Sequence, residues 1–181
     1  MSNKLAEHLL PVYKEKFPIE LEEAQLKVFW LPSEIKVEKD VQDVLVKFPP
    51  ADKHAVITSL KLFSLYETHA GDEYWLGRFR KMFDGAEFHR MAATFGMIEL
   101  SVHAPFYNKI NELLNINVPS FYMSYLDDEN LKGRMEHISD IIDDPDDLVS
   151  LGGFSMVEGA LLYSTFAFLT HYQATGKNDI I

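Results

Sequence analysis

The sequence predicts an all-α fold, and three observations predict it. Apolar residues recur at three- and four-residue spacing through long stretches, as at Val56, Leu60 and Phe63. No segment shows sustained two-residue alternation with hairpin turn residues. Prolines and Asp-Gly pairs fall between the periodic stretches, where helices start and stop.

Taken in order, residues 3–16 and 19–28 read as short helices interrupted by Pro11 and Pro18. A third short helix over 39–48 stops at Pro49-Pro50. The first long helix spans 52–82, with Gly71 and Gly77 weakening its second half, and Asp84-Gly85 makes the turn after it. The second long helix covers 86–115 and contains Pro105, which removes the bond to the Ser101 carbonyl and distorts the helix beside His103. Pro119 closes that part, and 130–142 is a short amphipathic helix. The third long helix runs over 146–174, loosened at Gly152-Gly153. No linker, internal repeat or low-complexity run divides the chain, so 1–181 reads as one domain.

Composition narrows the function. With 181 residues and 47% hydrophobic content the chain can bury a sizeable core. It has no cysteine, which excludes disulfides, thiolate metal sites and a catalytic thiol, and fits a reducing, cytoplasmic setting. A net charge of −11 argues against a nucleic-acid partner. The N-terminus lacks an apolar signal core. Residues 148–170 are long enough to span a bilayer, but two glycines, the central Glu158 and an acidic flank favour a helix buried in a bundle over a membrane segment. There is no Gly-x-Ser-x-Gly elbow, phosphate-binding glycine loop or His-Glu-x-x-His.

The chemistry sits in the apolar helices. In AATFGMIELSVHAPFY (92–107), Glu99 and His103 are the only ionisable groups before Tyr107. In LVSLGGFSMVEGALLYSTFAFLT (148–170), Glu158 is the only charge. A carboxylate buried without a partner costs several kcal/mol, and a metal ion can serve several carboxylates and an imidazole at once. Glu99 and His103, four apart, share one helix face. Glu67 lies on the first long helix and Glu158 on the third, so three helices each present a carboxylate and one adds an imidazole. Taken singly, each has a plainer reading: Glu67, among Thr68, His69, Asp72 and Glu73, as a surface acid, Glu99 as an interface residue, and His103 as a hydrogen-bonded core histidine. Together they favour a metal site of the ferritin-like, carboxylate-bridged kind.

Four pieces, in order, resemble the small, radical-generating subunit of class I ribonucleotide reductase. VFWLPSEIKVEKDVQDV (28–44) is similar to the family's N-terminal tryptophan segment, and LKLFSLYE (60–67) to its first-ligand helix. IELSVHAPFY (98–107) resembles the Glu–His–Tyr helix, and VEGALLYSTFAFL (157–169) the helix of the next Glu ligand. The tail QATGKNDII resembles the loop before the last ligand helix. The resemblance implies a ferritin-like bundle with a dinuclear centre of iron, manganese or both, held by Glu67, Glu99, His103 and Glu158. It implies that Tyr107 carries the stable radical and that Trp30 lies on the radical-transfer route. Partners would be the large catalytic subunit and a second small subunit, and the product deoxyribonucleotides.

Three departures accompany the resemblance. Glu67 stands where the family more often has Asp. The family's Glu is three before the His, a position held here by Leu100; Glu99 is four before, where one-turn geometry still works and a π-bulge, favoured by the Pro105 distortion, would shift the register. A second Glu-x-x-His helix is not found by Ile181, so the chain is expected to be the N-terminal part of a split or truncated subunit, incomplete at its C-terminus and completed by a complementing fragment. The competing expectations are another ferritin-like oxidase or ferroxidase, which needs neither Trp30 nor a large subunit, and a non-enzymatic helical interaction protein.

Overall fold

The computed structural model describes residues 10–174 and places seven helices, with no strand, among them. Helix α1 is Phe17–Lys27 and α2 is Glu38–Val46. Helix α3 runs from Pro50–Thr68 through a π-helical stretch, His69–Phe79, to Arg80–Met82. Helix α4 joins Ala86–Ile98, a π turn Glu99–His103, and Ala104–Leu113. After the short α5 (Pro119–Met123) comes α6, Glu129–Asp143. Helix α7 joins Asp147–Met156, a π stretch Val157–Leu162, and Tyr163–Ala174.

The boundaries follow local chemistry. Pro50 and Pro119 open α3 and α5, where a missing N–H is harmless. Asp128 and Asp146 cap α6 and α7 by accepting the backbone N–H groups of Asn130 and Leu148 at 2.9 Å. Helix α4 ends at Asn115, whose φ of 57° is the left-handed conformation that asparagine tolerates.

The expected helix over 3–16 is corrected. Residues 10–16 are not helical, and 3–9 lie outside the described residues. Pro11 lacks a donor, and the N–H groups of Lys14 and Glu15 are instead taken by the buried Glu87 carboxylate at the start of α4 (3.3 and 3.0 Å). The expected loosening at Gly152-Gly153 is also absent. Gly153 lets α7 approach Ile141 of α6, where an added Cβ would sit 3.0 Å from that side chain. The irregular geometry lies a turn later, at Val157–Leu162. Most of the tail likened to the family's last loop falls beyond residue 174, outside the described residues.

Helices α3 and α4 form the centre. They lie close because Gly71 and Gly96 face one another's helix: a Cβ on Gly96 would stand 3.2 Å from the Gly71 carbonyl oxygen. Helix α1 lies along the first half of α4, and α6 along the first part of α7. Helix α7 meets the rest through stacked rings, Phe154 on Tyr74, Phe166 on Phe63 and Tyr172 on Phe48, with centroids 3.5, 4.7 and 4.8 Å apart. Among the described residues no helix is long and apolar enough to cross a membrane. The length of 148–170 instead serves this packing: Phe154, Val157 and Leu169 are buried in the core.

Candidate metal centre

Each of the three long helices departs from α geometry where it carries a candidate ligand. The π stretch of α3 begins two residues after Glu67, that of α4 spans Glu99 to His103, and that of α7 includes Glu158. In α4 the Ala104 N–H bonds the Glu99 carbonyl five residues back, one residue further than an α-helix allows. Pro105 follows at once and offers no N–H to restore the α ladder. The π turn absorbs the extra residue between Glu99 and His103, so both side chains point into one site.

Glu67 and Glu99 are buried, at 5% and 8% exposure, and His103 is half-buried. His103 Nδ1 faces both carboxylates, 2.7 Å from Glu99 Oε2 and 3.2 Å from Glu67 Oε2. One ligand atom from each of the three falls within 4.8 Å of the others. Glu67 is therefore no surface acid: helix α3 turns it inward, away from its polar sequence neighbours. Glu158 does not join this trio. It lines the same half-open cavity of about 670 Å³, together with Trp75, Phe154 and Phe166, and one of its oxygens is buried without a hydrogen-bond partner.

The electrostatics are those of acids confined together. Burial pushes the Glu67 carboxyl up to about 9; the Glu99 charge adds to this and the hydrogen bond from His103 opposes it. Burial acts on Glu99 in the same sense, but hydrogen bonds from His103 and Glu67 outweigh it and hold Glu99 below the usual range. The two carboxyls thus share one proton, kept on Glu67. Burial disfavours the His103 imidazolium, yet bonds to both carboxylates raise it to about 10. Burial, aided by the Glu99 charge, raises Glu158 to about 7. Two carboxylates, an imidazole and an unsatisfied third carboxylate form a donor set that suits iron or manganese, and there is no thiolate.

Tyr107 lies one turn beyond His103, buried and stacked on Phe63 with centroids 5.1 Å apart. Burial raises its phenol well above the usual range, and the Glu67 and Glu99 charges add to this. Trp30 stacks on the His103 ring at 5.8 Å and meets Phe106 edge-on at 5.2 Å. A second, apolar cavity of about 360 Å³ lies between Trp30, His103 and Tyr107. All six residues singled out in the sequence are therefore at or beside one site.

A family model for the ribonucleotide reductase small chain matches residues 12–177. The chain belongs to the ribonucleotide reductase small-chain family. No curated protein matches it. The fold, helical and without a strand among the described residues, is the ferritin-like architecture of that family. Membership brings the oxidoreductase chemistry of ribonucleotide reduction, a dinuclear metal centre as the family's general cofactor, a large catalytic subunit as partner, and dimer formation.

Sequence reasoning missed Tyr74 and Trp75. Both line the larger cavity on the side of Glu158, and burial together with the Glu158 charge raises the Tyr74 phenol. Their only sequence signal was an aromatic pair in the glycine-interrupted half of α3. Gln25 of α1 also reaches the cavity, with no signal in its polar surroundings.

Proposed function

We propose that this chain is a radical-generating small subunit of ribonucleoside-diphosphate reductase, its 181 residues forming a single ferritin-like domain. Glu67, Glu99, His103 and Glu158 would hold iron, manganese or one of each. The bound metals supply one-electron and oxygen chemistry. The chain's own residues do the rest. Glu67 and Glu99 give up their shared proton and His103 its Nδ1 proton, freeing three donors for cations. Tyr107 is buried and stacked on Phe63, so a radical on that ring would be shielded. Trp30, stacked on His103, would pass the oxidising equivalent toward the large subunit.

Sites of this architecture use about six protein ligands. Four candidates lie among the described residues; the proposed partners are a complementing C-terminal fragment that brings further donors, a second small subunit and the large subunit. A cytoplasmic setting belongs to the same reading, as does synthesis of DNA precursors.

The observation that carries the reading is the convergence of Glu67 and Glu99 on one nitrogen of His103 across two helices. Its test is anaerobic loading with Fe(II) or Mn(II), followed by metal analysis and, after air and a C-terminal complement, electron paramagnetic resonance. Expected are bound metal that is lost in His103→Ala, and a tyrosyl signal that is lost in Tyr107→Phe. Metal content unchanged in both His103→Ala and Glu158→Gln would overturn the metal centre. A radical surviving Tyr107→Phe would overturn that tyrosine's role.

A further inference from the structure

The segment 13–38 brings Gln25 and Trp30 to the metal site, and the way it is fastened is unusual. Helix α1 buries only Pro18 and Glu22, while Phe17, Leu21 and Leu26 stay exposed. Apolar burial therefore contributes little to holding α1 on α4. Polar fasteners hold it instead. Glu22, 4% exposed, accepts a hydrogen bond from Thr94 Oγ1 at 2.8 Å and pairs with Arg90 Nε at 2.5 Å. The Arg90 guanidinium also lies 5.5 Å over the Tyr13 ring. On the far side of Trp30, Lys109 Nζ donates to the Ile35 carbonyl at 3.3 Å and pairs with Glu38 at 3.4 Å.

Arg90, Thr94 and Lys109 all belong to α4, and His103 lies between them in that helix. Only Val28 and Phe29 separate the end of α1 from Trp30, so the indole's place over His103 depends on where α1 is pinned.

We propose that Glu22 is a positioning residue: with Arg90 and Thr94 it latches α1 to α4 and so holds Trp30 stacked on His103, while Lys109 fastens the strap on the other side. Resting on the assignment of Trp30 to radical transfer, this adds a control point remote from the metal. A strap held by a few polar contacts opens locally more easily than one held by a packed core. Loss of the latch frees the indole from His103 while leaving the bundle and its three-helix site folded.

The test uses the full chain with Trp75→Phe, so that Trp30 is the single tryptophan, excited selectively over the tyrosines. Adding Glu22→Ala is expected to red-shift the Trp30 emission and raise its acrylamide quenching constant about twofold, with far-ultraviolet helicity retained. The exposed neighbour Glu23→Ala is expected to change neither. Should Glu22→Ala fail to fold, Thr94→Val and Lys109→Met make the same measurement with single contacts removed. Quenching that stays unchanged in the variants that fold overturns the proposal. If quenching rises as expected but a Trp30→Phe protein still transfers its radical, the strap stands and the function assigned to Trp30 falls.

Discussion

Replacing Gly71 by alanine tests how α3 and α4 build the site. In a helix interior, Gly→Ala ordinarily stabilises by about 1 kcal/mol. At Gly71 the new Cβ would lie 2.5 Å from Leu100 Cγ, 2.9 Å from Leu100 Cδ2 and 3.0 Å from Glu99 Cβ. The Leu100 side chain can rotate away, but the Glu99 Cβ is fixed to the backbone, so the two helices must part. Overpacking of this kind costs about 1–3 kcal/mol, which cancels or outweighs the propensity gain. A net loss of up to about 2 kcal/mol is expected, or a Tm lower by up to about 8 °C for a chain of this size. Gly133 in α6 is the control, since a Cβ there meets nothing within 4 Å. Gly133→Ala should stabilise by about 1 kcal/mol, so the two variants should differ by roughly 1–3 kcal/mol. Urea and thermal denaturation of the metal-free protein measure both. Because the clash includes the Cβ of a ligand residue, Gly71→Ala should also weaken metal uptake, and Gly133→Ala should not. Equal stabilisation by the two alanines would refute the close approach of α3 and α4.

Metal affinity should rise steeply with pH. Without metal, Glu67 holds its proton to about pH 9 and His103 to about pH 10, so a binding cation displaces both, and affinity should climb about 100-fold per unit between pH 7 and pH 9. Titration against a chelator reads this, and a flat profile would remove the two residues from the ligand set. Tyr107→Phe, which keeps the ring stacked on Phe63, should change folding stability by less than about 1 kcal/mol while removing the radical signal. Asn111→Ala should cost about 2–3 kcal/mol in urea unfolding, because this fully buried amide donates to Ser64 Oγ and Tyr122 Oη across three elements. A loss below half a kcal/mol would mean that network is not structural.

The sequence made the long helices and the acids inside them legible because both are local signals. Apolar periodicity marks α3, α4 and α7, and a single charge in an apolar run marks Glu99 and Glu158. The Glu99 register was left open by the sequence, since spacing cannot choose between α and π turns; Pro105 biased the choice, and the bond from the Ala104 N–H to the Glu99 carbonyl is that of a π turn. What stayed illegible depends on residues far apart in the chain. Glu22 and Glu87 look like ordinary surface acids in charged segments, and they are buried only because their partners lie 72 and 73 residues away. Gly71 reads as a weak point of its helix, yet the same missing side chain admits Leu100 and brings Glu67 within reach of His103. Local propensity and site geometry pull in opposite directions at that glycine. The fold accepts a poorer helix there because Glu67 and His103 must meet across two of them, and the π stretch that begins at His69 is the form the compromise takes.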